Sequence, residues 1–362
     1  MRLRLVFFGI LIASACVHGP GSARAQDVVQ EVGPDIETDA PSVPVKPLND
    51  SGSESDAFRK LAAAAGEGDA PAQLKLGLAY LDGKQLPRDT QLAAHWIREA
   101  AQQNLPEAEV QWAKLEQQGL GTKLNPDDAF AWLRRATDQK SAEGAYLLAT
   151  ALHDGIGTPI DAGEAAHWYV LAAQAGSVDA QIALGQAFLK GDGIAPDAAQ
   201  AIYWFHRASD QGSAEARYRW ALALLGDETG GLASPPTHDS VEGFKILRQA
   251  ADQNYPPAEF RLGLAYLNGT EAEYDPKIAL RLIGAAADRG YGKALVRLGL
   301  IYAEGKLVRP DPVRAYVNLE LAVELGEVGA AAARNTAAAA LPPDQVQQVR
   351  RRIRDWRTNR GL

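Results

Sequence analysis

The sequence is poor in the residues that build most chemical sites. It has a single cysteine, Cys16, in 362 residues, so no intramolecular disulfide can form. None of its six histidines pairs with another at a metal-binding spacing such as HxxxH, and no Ser-His-Asp or Cys-His set can be assembled from the pattern. We therefore predict no catalytic residue, no metal and no cofactor, and we expect that the chain is not an enzyme.

An excess of positive charge is also missing. The formal net charge is −8, and it would become −11 if Arg2, Arg4 and Arg24 were removed with an N-terminal leader. Nucleic acid binding depends on cations that contact phosphates. We expect no nucleic acid partner.

The apolar run near the start, residues 5–15, is too short to span a membrane. Arg2 and Arg4 precede it and a small-residue Ala-Arg-Ala stretch follows, as in a cleaved secretory signal. We predict a signal peptide at 1–25 and a periplasmic or secreted protein. The alternative is lipoprotein processing before Cys16, which would anchor the chain to a membrane, although Ala13 replaces the usual Leu or Val.

The next segment, 26–54, has four prolines, several acids and no helical period. Such a composition buries too little apolar surface to fold, so we predict a disordered linker.

What the sequence has in abundance is a repeat. Copies begin every 36 residues, with one step of 42, at Ala72, Ala108, Gly144, Ala180, Ala216, Ala258 and Ala294. Self-similarity at a fixed period of this length indicates a solenoid.

Four columns support this register. A small residue stands five positions into each copy, including Gly77, Gly185, Gly263 and Gly299, where two helices are expected to cross closely. An Asp or Asn near the middle predicts the N-cap of a second helix, and an alanine inside that helix recurs in all seven copies. Four residues later, a Gly or Asn predicts the left-handed end of that helix, with Lys140 as the one exception.

Each copy therefore predicts a helix hairpin whose stability comes from stacking on its neighbours. We predict an all-α fold, a right-handed α/α superhelix of about seven hairpins over residues 55–341. A lone helix at 56–65 is expected to cap the N-terminal end. A helix within 342–362, with an apolar stripe and a basic face, is expected to cap the other end.

The spacing of LGLAYLDG and DTQLAAHWIREAAQQN, in residues 76–104, resembles the Sel1-like repeat family, relatives of the tetratricopeptide repeats. The resemblance covers about residues 57–340. It implies an adaptor whose inner, concave surface holds a partner protein.

Two rows on the first helices are candidates for that surface. If the first helices line the groove, an apolar row turns outward, with Gln186 beside it: Leu74, Val110, Tyr146, Ile182, Tyr218, Phe260 and Val296. The alternative is that this row is half-buried between adjacent helices. A second row holds a ladder of Arg219, Arg261 and Arg297, which could bind carboxylates. The alternative is that Glu215 or Glu259 neutralises this ladder within the fold.

Other features have structural interpretations. Trp96, Trp132, Trp168 and Trp204 share one column and are predicted to be inter-repeat core rather than a ligand platform. The glycine-rich stretches at 154–157 and 191–193 are predicted to be turns rather than phosphate or calcium loops. Six extra residues before Asp239 form either a partner-contact loop or a neutral insertion.

We thus expect an exported Sel1-like scaffold that binds a protein, for envelope regulation or assembly. A structural part of a polysaccharide export or secretion machine, which would bind an anionic polysaccharide, is the main alternative. A hydrolase is a weak one.

Overall fold

The computed structural model describes residues 52–227 and 239–360. The predicted signal peptide, Cys16, nearly all of the predicted linker and the insertion before Asp239 lie outside these residues. The first described helix starts at Gly52, four residues before the predicted start of the capping helix. The predicted boundary between linker and solenoid thus falls inside this helix.

All regular secondary structure in the described ranges is helical, and the helices belong to one compact unit, Pro47–Leu362. Consecutive pairs form seven hairpins, which we call copies one to seven, from α2 and α3 to α14 and α15. The helices are α1 Gly52–Gly66, α2 Ala70–Asp82, α3 Thr90–Gln102, α4 Pro106–Gln118, α5 Pro126–Asp138, α6 Ala142–Asp154, α7 Ala162–Gln174, α8 Val178–Lys190, α9 Ala198–Asp210, α10 Ala214–Leu225, α11 Ser240–Asp252, α12 Pro256–Asn268, α13 Pro276–Asp288, α14 Gly292–Glu304, α15 Pro312–Glu324, α16 Ala330–Ala339 and α17 Pro343–Arg360.

The predicted N-caps are confirmed in every copy. In copy one, the carboxylate of Asp89 accepts hydrogen bonds at 3.0 Å from the backbone N–H groups of Gln91 and Leu92. In the other copies, a side-chain oxygen at the equivalent position also accepts a hydrogen bond from a backbone N–H group: Asn125, Asp161, Asp197, Asp239, Asp275 and Asp311. These bonds satisfy N–H groups that have no partner within the helix.

The left-handed residues after the second helices are also as predicted. The positions after α3 and α11 are Asn104 and Asn254, with φ near 60°, and most of the others are glycines. Lysine rarely adopts a left-handed backbone conformation, but Lys140 has φ 67° at this position. The hairpin geometry thus imposes this conformation even where the residue type resists it.

The small column marks a close crossing between the two helices of each hairpin. A Cβ atom on Gly185 would lie 2.5 Å from Cε1 of Phe205, and one on Gly299 would lie 2.6 Å from Cγ of Leu319. Phe205 and Leu319 are themselves fully buried. The invariant alanine column inside the second helix is fully buried as well: Ala100, Ala136, Ala172, Ala208, Ala250, Ala286 and Ala322.

The most extensive contacts join helices that are consecutive in sequence, as a helical solenoid requires. The C-terminal helix α17 closes the last hairpin, since Val349 and Ile353 are buried with Tyr316 and Leu319 of α15. At the other end, Ala65 of α1 is buried against α2. No described helix is long and apolar enough to cross a membrane.

Buried polar side chains on first helices bond to side chains at the end of the second helix of the same hairpin, a contact that we call the polar clasp and that was not predicted. Gln211, after α9, donates to the buried amide oxygen of Gln181 at 2.9 Å, and Gln103 donates to Gln73 in the same way at 2.8 Å. In two copies the buried group is a carboxylate. Glu109 accepts from Gln139 at 2.8 Å and pairs with Arg135, and Glu259 pairs with Arg289 at 3.2 Å.

Candidate partner-binding surface

Two columns on the first helices, four residues apart and so on one side of each helix, form what we call the first-helix face. The first-turn column consists of Pro71, Glu107, Glu143, Asp179, Glu215, Pro257 and Lys293. The ladder column consists of Lys75, Gln111, Leu147, Ala183, Arg219, Arg261 and Arg297. Each of these side chains is at least partly exposed, so this face is accessible to a partner.

The apolar row proposed as a groove lining is instead a packing seam. Val110 is fully buried, and Ile182, which was predicted to point outward, is only 9% exposed because it packs among residues of α9 and α10. The prediction of exposure is therefore wrong for Val110 and Ile182. The alternative of a half-buried row describes the other five members: Leu74, Tyr146, Tyr218, Phe260 and Val296.

The aromatic members of this row contact other rings of the array. The ring of Tyr218 lies 5.5 Å from that of Tyr255, and Phe260 lies 5.5 Å from Tyr291, in each case joining one copy to the next. Burial raises the pKa of Tyr255 and of Tyr291. These partly exposed rings pack at the junctions between copies.

The tryptophan column lies at the edge of the core. Trp204 is buried, whereas Trp96, Trp132 and Trp168 are half-buried and pack against the core clusters. Trp168 donates its indole N–H to Glu164 at 3.2 Å, and the guanidinium of Arg135 lies 4.6 Å from the ring of Trp132. The fully buried column is the next one along the chain, which includes Ile97, Leu133 and Phe205.

The first arginine of the ladder is neutralised within the fold. Arg219 pairs with Glu215, one helical turn earlier, through bonds of 3.1 Å. With the Gln186 amide oriented to satisfy both groups, its oxygen accepts from the same guanidinium at 2.8 to 2.9 Å. Arg219 and Gln186 therefore contact each other across the junction between copies four and five.

Arg261 pairs with two acids, at shorter distances than the pair of Arg219 with Glu215. Its guanidinium donates to Asp227 and to Glu271, at 2.6 Å in each case, and its side chain is only 19% exposed. Burial lowers the pKa of Arg261, but the bonds to Glu271 and Asp227 outweigh this and raise it overall. The arginine in turn lowers the pKa of Glu271.

Arg297, the last of the ladder, has no such partner within residues 52–227 and 239–360. Its Nε is buried and bonds to no acceptor among the described residues. No acid in the described part of the chain pairs with its guanidinium. In the ladder, Arg219 and Arg261 are thus neutralised within the fold, whereas Arg297 has no acid partner in the described ranges. Glu259, which was considered as a partner for the ladder, pairs with Arg289 instead.

The glycine-rich stretches form turns, as predicted, with φ near 70° at Gly155, Gly157, Gly191 and Gly193. His153 joins two of these turns, since Nδ1 lies 2.6 Å from Asp154 and Nε2 lies 2.9 Å from Asp192 in the next copy. Hydrogen bonding to Asp154 raises the pKa of His153. In the described ranges, no group of three or more His, Cys, Asp or Glu residues could hold a metal ion.

The predicted basic face of the C-terminal helix is partly an internal contact. Arg350 donates to the hydroxyl of Tyr316 at 2.6 Å and pairs with Glu320 at 3.3 Å. Arg351 and Arg354 are exposed. The remaining members of that face, Arg352 and Arg357, have side chains outside the described set.

Comparison with known proteins identifies the family. Seven consecutive segments match the Sel1 repeat: 70–105, 106–141, 142–177, 178–213, 214–255, 256–291 and 292–327. The chain belongs to the Sel1 repeat family. Proteins of this family generally act as scaffolds for protein–protein interaction, and the family is non-catalytic. No curated protein matches the chain.

A solved Sel1 repeat structure agrees with the fold. A Sel1 repeat protein from Oxalobacter formigenes is 26% identical, with a TM-score of 0.60 over 79% of this chain and 81% of that one. A protective antigen of uropathogenic Escherichia coli with an SLR fold is 23% identical, with a TM-score of 0.45 over 82% of this chain and 70% of that one. An immunity protein from Pseudomonas aeruginosa is 16% identical, with a TM-score of 0.40 over 61% of this chain and 81% of that one.

Sequence reasoning missed Lys293, the only cation in the first-turn column. The signal was available in the repeat alignment, because the same column holds acids in copies two to five: Glu107, Glu143, Asp179 and Glu215. The first-helix face therefore changes from acidic in the middle of the array to basic in copy seven.

Proposed function

We propose that this Sel1 repeat protein is an exported scaffold that binds a partner protein through its first-helix face. The observation that supports this most strongly is a contrast between columns. The packing columns repeat the same residue type through the array, whereas the ladder column changes from Lys75 through Leu147 and Ala183 to Arg297. A surface that packing leaves free to vary can match the side chains of a particular partner.

An exported location follows from the signal-like sequence at 1–25 and belongs to the same proposal. Envelope fractionation of cells that produce the whole chain tests it. A soluble periplasmic protein is expected, and retention in the membrane that is lost in Cys16→Ala would indicate the lipoprotein form instead. Recovery of the full-length, unprocessed chain in the cytoplasm would contradict export.

The scaffold role is tested by affinity capture from envelope extract, followed by mass spectrometry. The face variant combines Lys75→Glu and Asp179→Lys, which leaves the net charge unchanged. Its matched control combines Arg134→Glu and Asp252→Lys, both on exposed positions of second helices. A partner captured by the wild type and the control, but lost with the face variant, is the expected result.

If the face variant captures the same proteins in the same amounts as the control, the first-helix face is not the binding surface. If the wild type captures no protein but retains an acidic polysaccharide, the role in polysaccharide export is favoured instead.

A further inference from the structure

The guanidinium of Arg297 stands in unusual surroundings for a half-buried arginine. Arginine remains charged at any physiological pH, and a buried N–H without an acceptor costs free energy. The same position in copies five and six carries an arginine whose charge is neutralised. The residues that surround the arginine of copy seven differ from those in copies five and six.

Four groups accept hydrogen bonds from Arg219 or Arg261, and all four are acids or amides: Glu215, Gln186, Asp227 and Glu271. The repeat alignment gives the positions that are equivalent to these around Arg297. Counted from the arginine, the equivalents of Glu215, Gln186 and Glu271 are Lys293, Leu264 and Leu307. Asp227 directly follows the left-handed glycine that ends a first helix, and its equivalent is Thr270. Around Arg297, a cation, two leucines and a threonine from copies six and seven thus stand where Arg219 or Arg261 has a charged acceptor or an amide.

Neither Arg297 nor Lys293 forms an ion pair with an acid in the described ranges, although the carboxylate of Glu327 lies close to Gly292, the residue before Lys293. Lys293 is exposed and lies one helical turn before Arg297, so both cations are on the first-helix face of α14. Leu264, Val296 and Leu307 pack against a common core cluster, which gives the arginine apolar neighbours. Electrostatic attraction to a carboxylate is stronger at such a partly dehydrated position than in open solvent.

We propose that Arg297 and Lys293 form an anion-binding site of copy seven that takes a carboxylate side chain from an acidic segment of a partner protein. This proposal rests on the scaffold function above and adds the chemistry of the contact. A guanidinium bonds a carboxylate through two parallel N–H groups, and the lysine one turn away accommodates a second acid of the same segment. The leucines favour a protein segment, whose acids alternate with apolar side chains, over a hydroxyl-rich sugar polymer.

The test uses a fluorescein-labelled peptide of alternating Glu and Leu as the probe, and the same peptide with Gln for Glu as the neutral control. Fluorescence anisotropy at low ionic strength measures binding to the whole chain. We expect the Glu peptide to bind at least about tenfold more tightly than the Gln peptide, and salt to weaken the binding.

Two variants locate the site. Arg297→Gln removes the guanidinium. Lys293→Glu recreates in copy seven the pair that Glu215 makes with Arg219, so it closes the site without removing the arginine. Each is expected to weaken binding of the Glu peptide by about tenfold or more, whereas Arg134→Gln, at an exposed position of a second helix outside the first-helix face, should change binding by less than about twofold.

Thermal unfolding followed by circular dichroism accompanies each measurement. Lys293→Glu should melt at or above the wild-type temperature, because it adds an internal ion pair, so its loss of binding cannot be due to unfolding.

The proposal is overturned if the wild type does not distinguish the Glu peptide from the Gln peptide. It is also overturned if Arg297→Gln and Lys293→Glu both bind within about twofold of the wild type. Binding of an oligouronate in preference to the Glu peptide would assign the site to a polysaccharide. The peptide assay needs no natural partner, so its failure, with partner capture still dependent on Lys75 and Asp179, would reject the anion site and leave the scaffold function standing.

Discussion

The interior of the repeat array and its first-helix face come from the same seven copies but follow different rules. In the interior, the residue type is dictated by distance: a Cβ on Gly185 would be 2.5 Å from a buried ring, and the alanine column has no exposed surface at all. On the face, equivalent positions carry Lys75, Leu147 or Arg297 without a change of fold. The contrast teaches that close packing fixes the residue type in the repeated columns, whereas the fold leaves the residue type in the varied columns free to change.

The largest expected effect comes from breaking a charged clasp in the interior. Arg289→Met leaves the carboxylate of Glu259, which is 4% exposed, without its cation. We expect a loss of about 3 kcal/mol in the free energy of unfolding, the lower end for a broken buried pair, because the arginine itself is partly exposed. The measurement is chemical denaturation.

The double variant Glu259→Gln with Arg289→Met is the control, because it removes the unpaired charge and should recover most of the loss. A double variant as unstable as Arg289→Met would show that lost packing, not the buried charge, causes the effect.

A second interior carboxylate gives a pH-dependent prediction. Glu116 is 6% exposed, and burial, assisted by Asp128, raises its pKa from 4.5 to about 7. The folded state thus holds this proton more tightly than the unfolded state, so stability falls as the pH rises from about 4.5 to about 7. Glu116→Gln should be more stable than the wild type at about pH 8, by up to about 3 kcal/mol, and nearly equal at about pH 4.

Denaturation curves of both proteins across this pH range check it. Two pH profiles that run parallel would contradict the assigned pKa.

The next effect concerns the close crossing of helices. Gly185→Ala places a methyl group against the ring of Phe205, and such overpacking typically costs about 1–3 kcal/mol. Gly284, inside α13, has open space where its Cβ would be, so Gly284→Ala should instead stabilise by about 0.5–1 kcal/mol. Thermal or chemical unfolding of the two variants measures the difference. Equal effects would mean that the small column is not a steric requirement.

The smallest effects are expected on the face, and they should differ along the ladder. Arg261→Ala leaves two partly buried acids unpaired and should cost about 1–3 kcal/mol, whereas Arg219→Ala breaks a more exposed pair and should cost about 0–1 kcal/mol. Arg297→Ala removes a group that pairs with no described acid and should change stability by less than about 0.5 kcal/mol. Melting temperatures of the three variants test this order, and an Arg297→Ala loss as large as that of Arg261→Ala would reveal an internal partner.

Much of the fold could be predicted from the sequence, because the signals are local. An Asp that caps a helix, a glycine that ends one and an alanine at a crossing each act within a few residues, so the 36-residue period and the hairpin followed directly. The apolar row was harder, since a helical wheel shows which residues share a side but not how much of that side the next copy covers. Ile182 was misplaced for this reason.

Only the tertiary structure decided which arginines of the ladder pair with an acid inside the fold. Arg219, Arg261 and Arg297 are the same residue type in one column of the sequence. The partners of Arg219 and Arg261 lie 4, 10, 33 or 34 residues away in other turns and copies. Ion pairing depends on distances of a few ångströms between side chains that the backbone brings together from different repeats. The period determined the repeat array, and the packing of one copy on the next left one arginine of the ladder without an acid partner among the described residues.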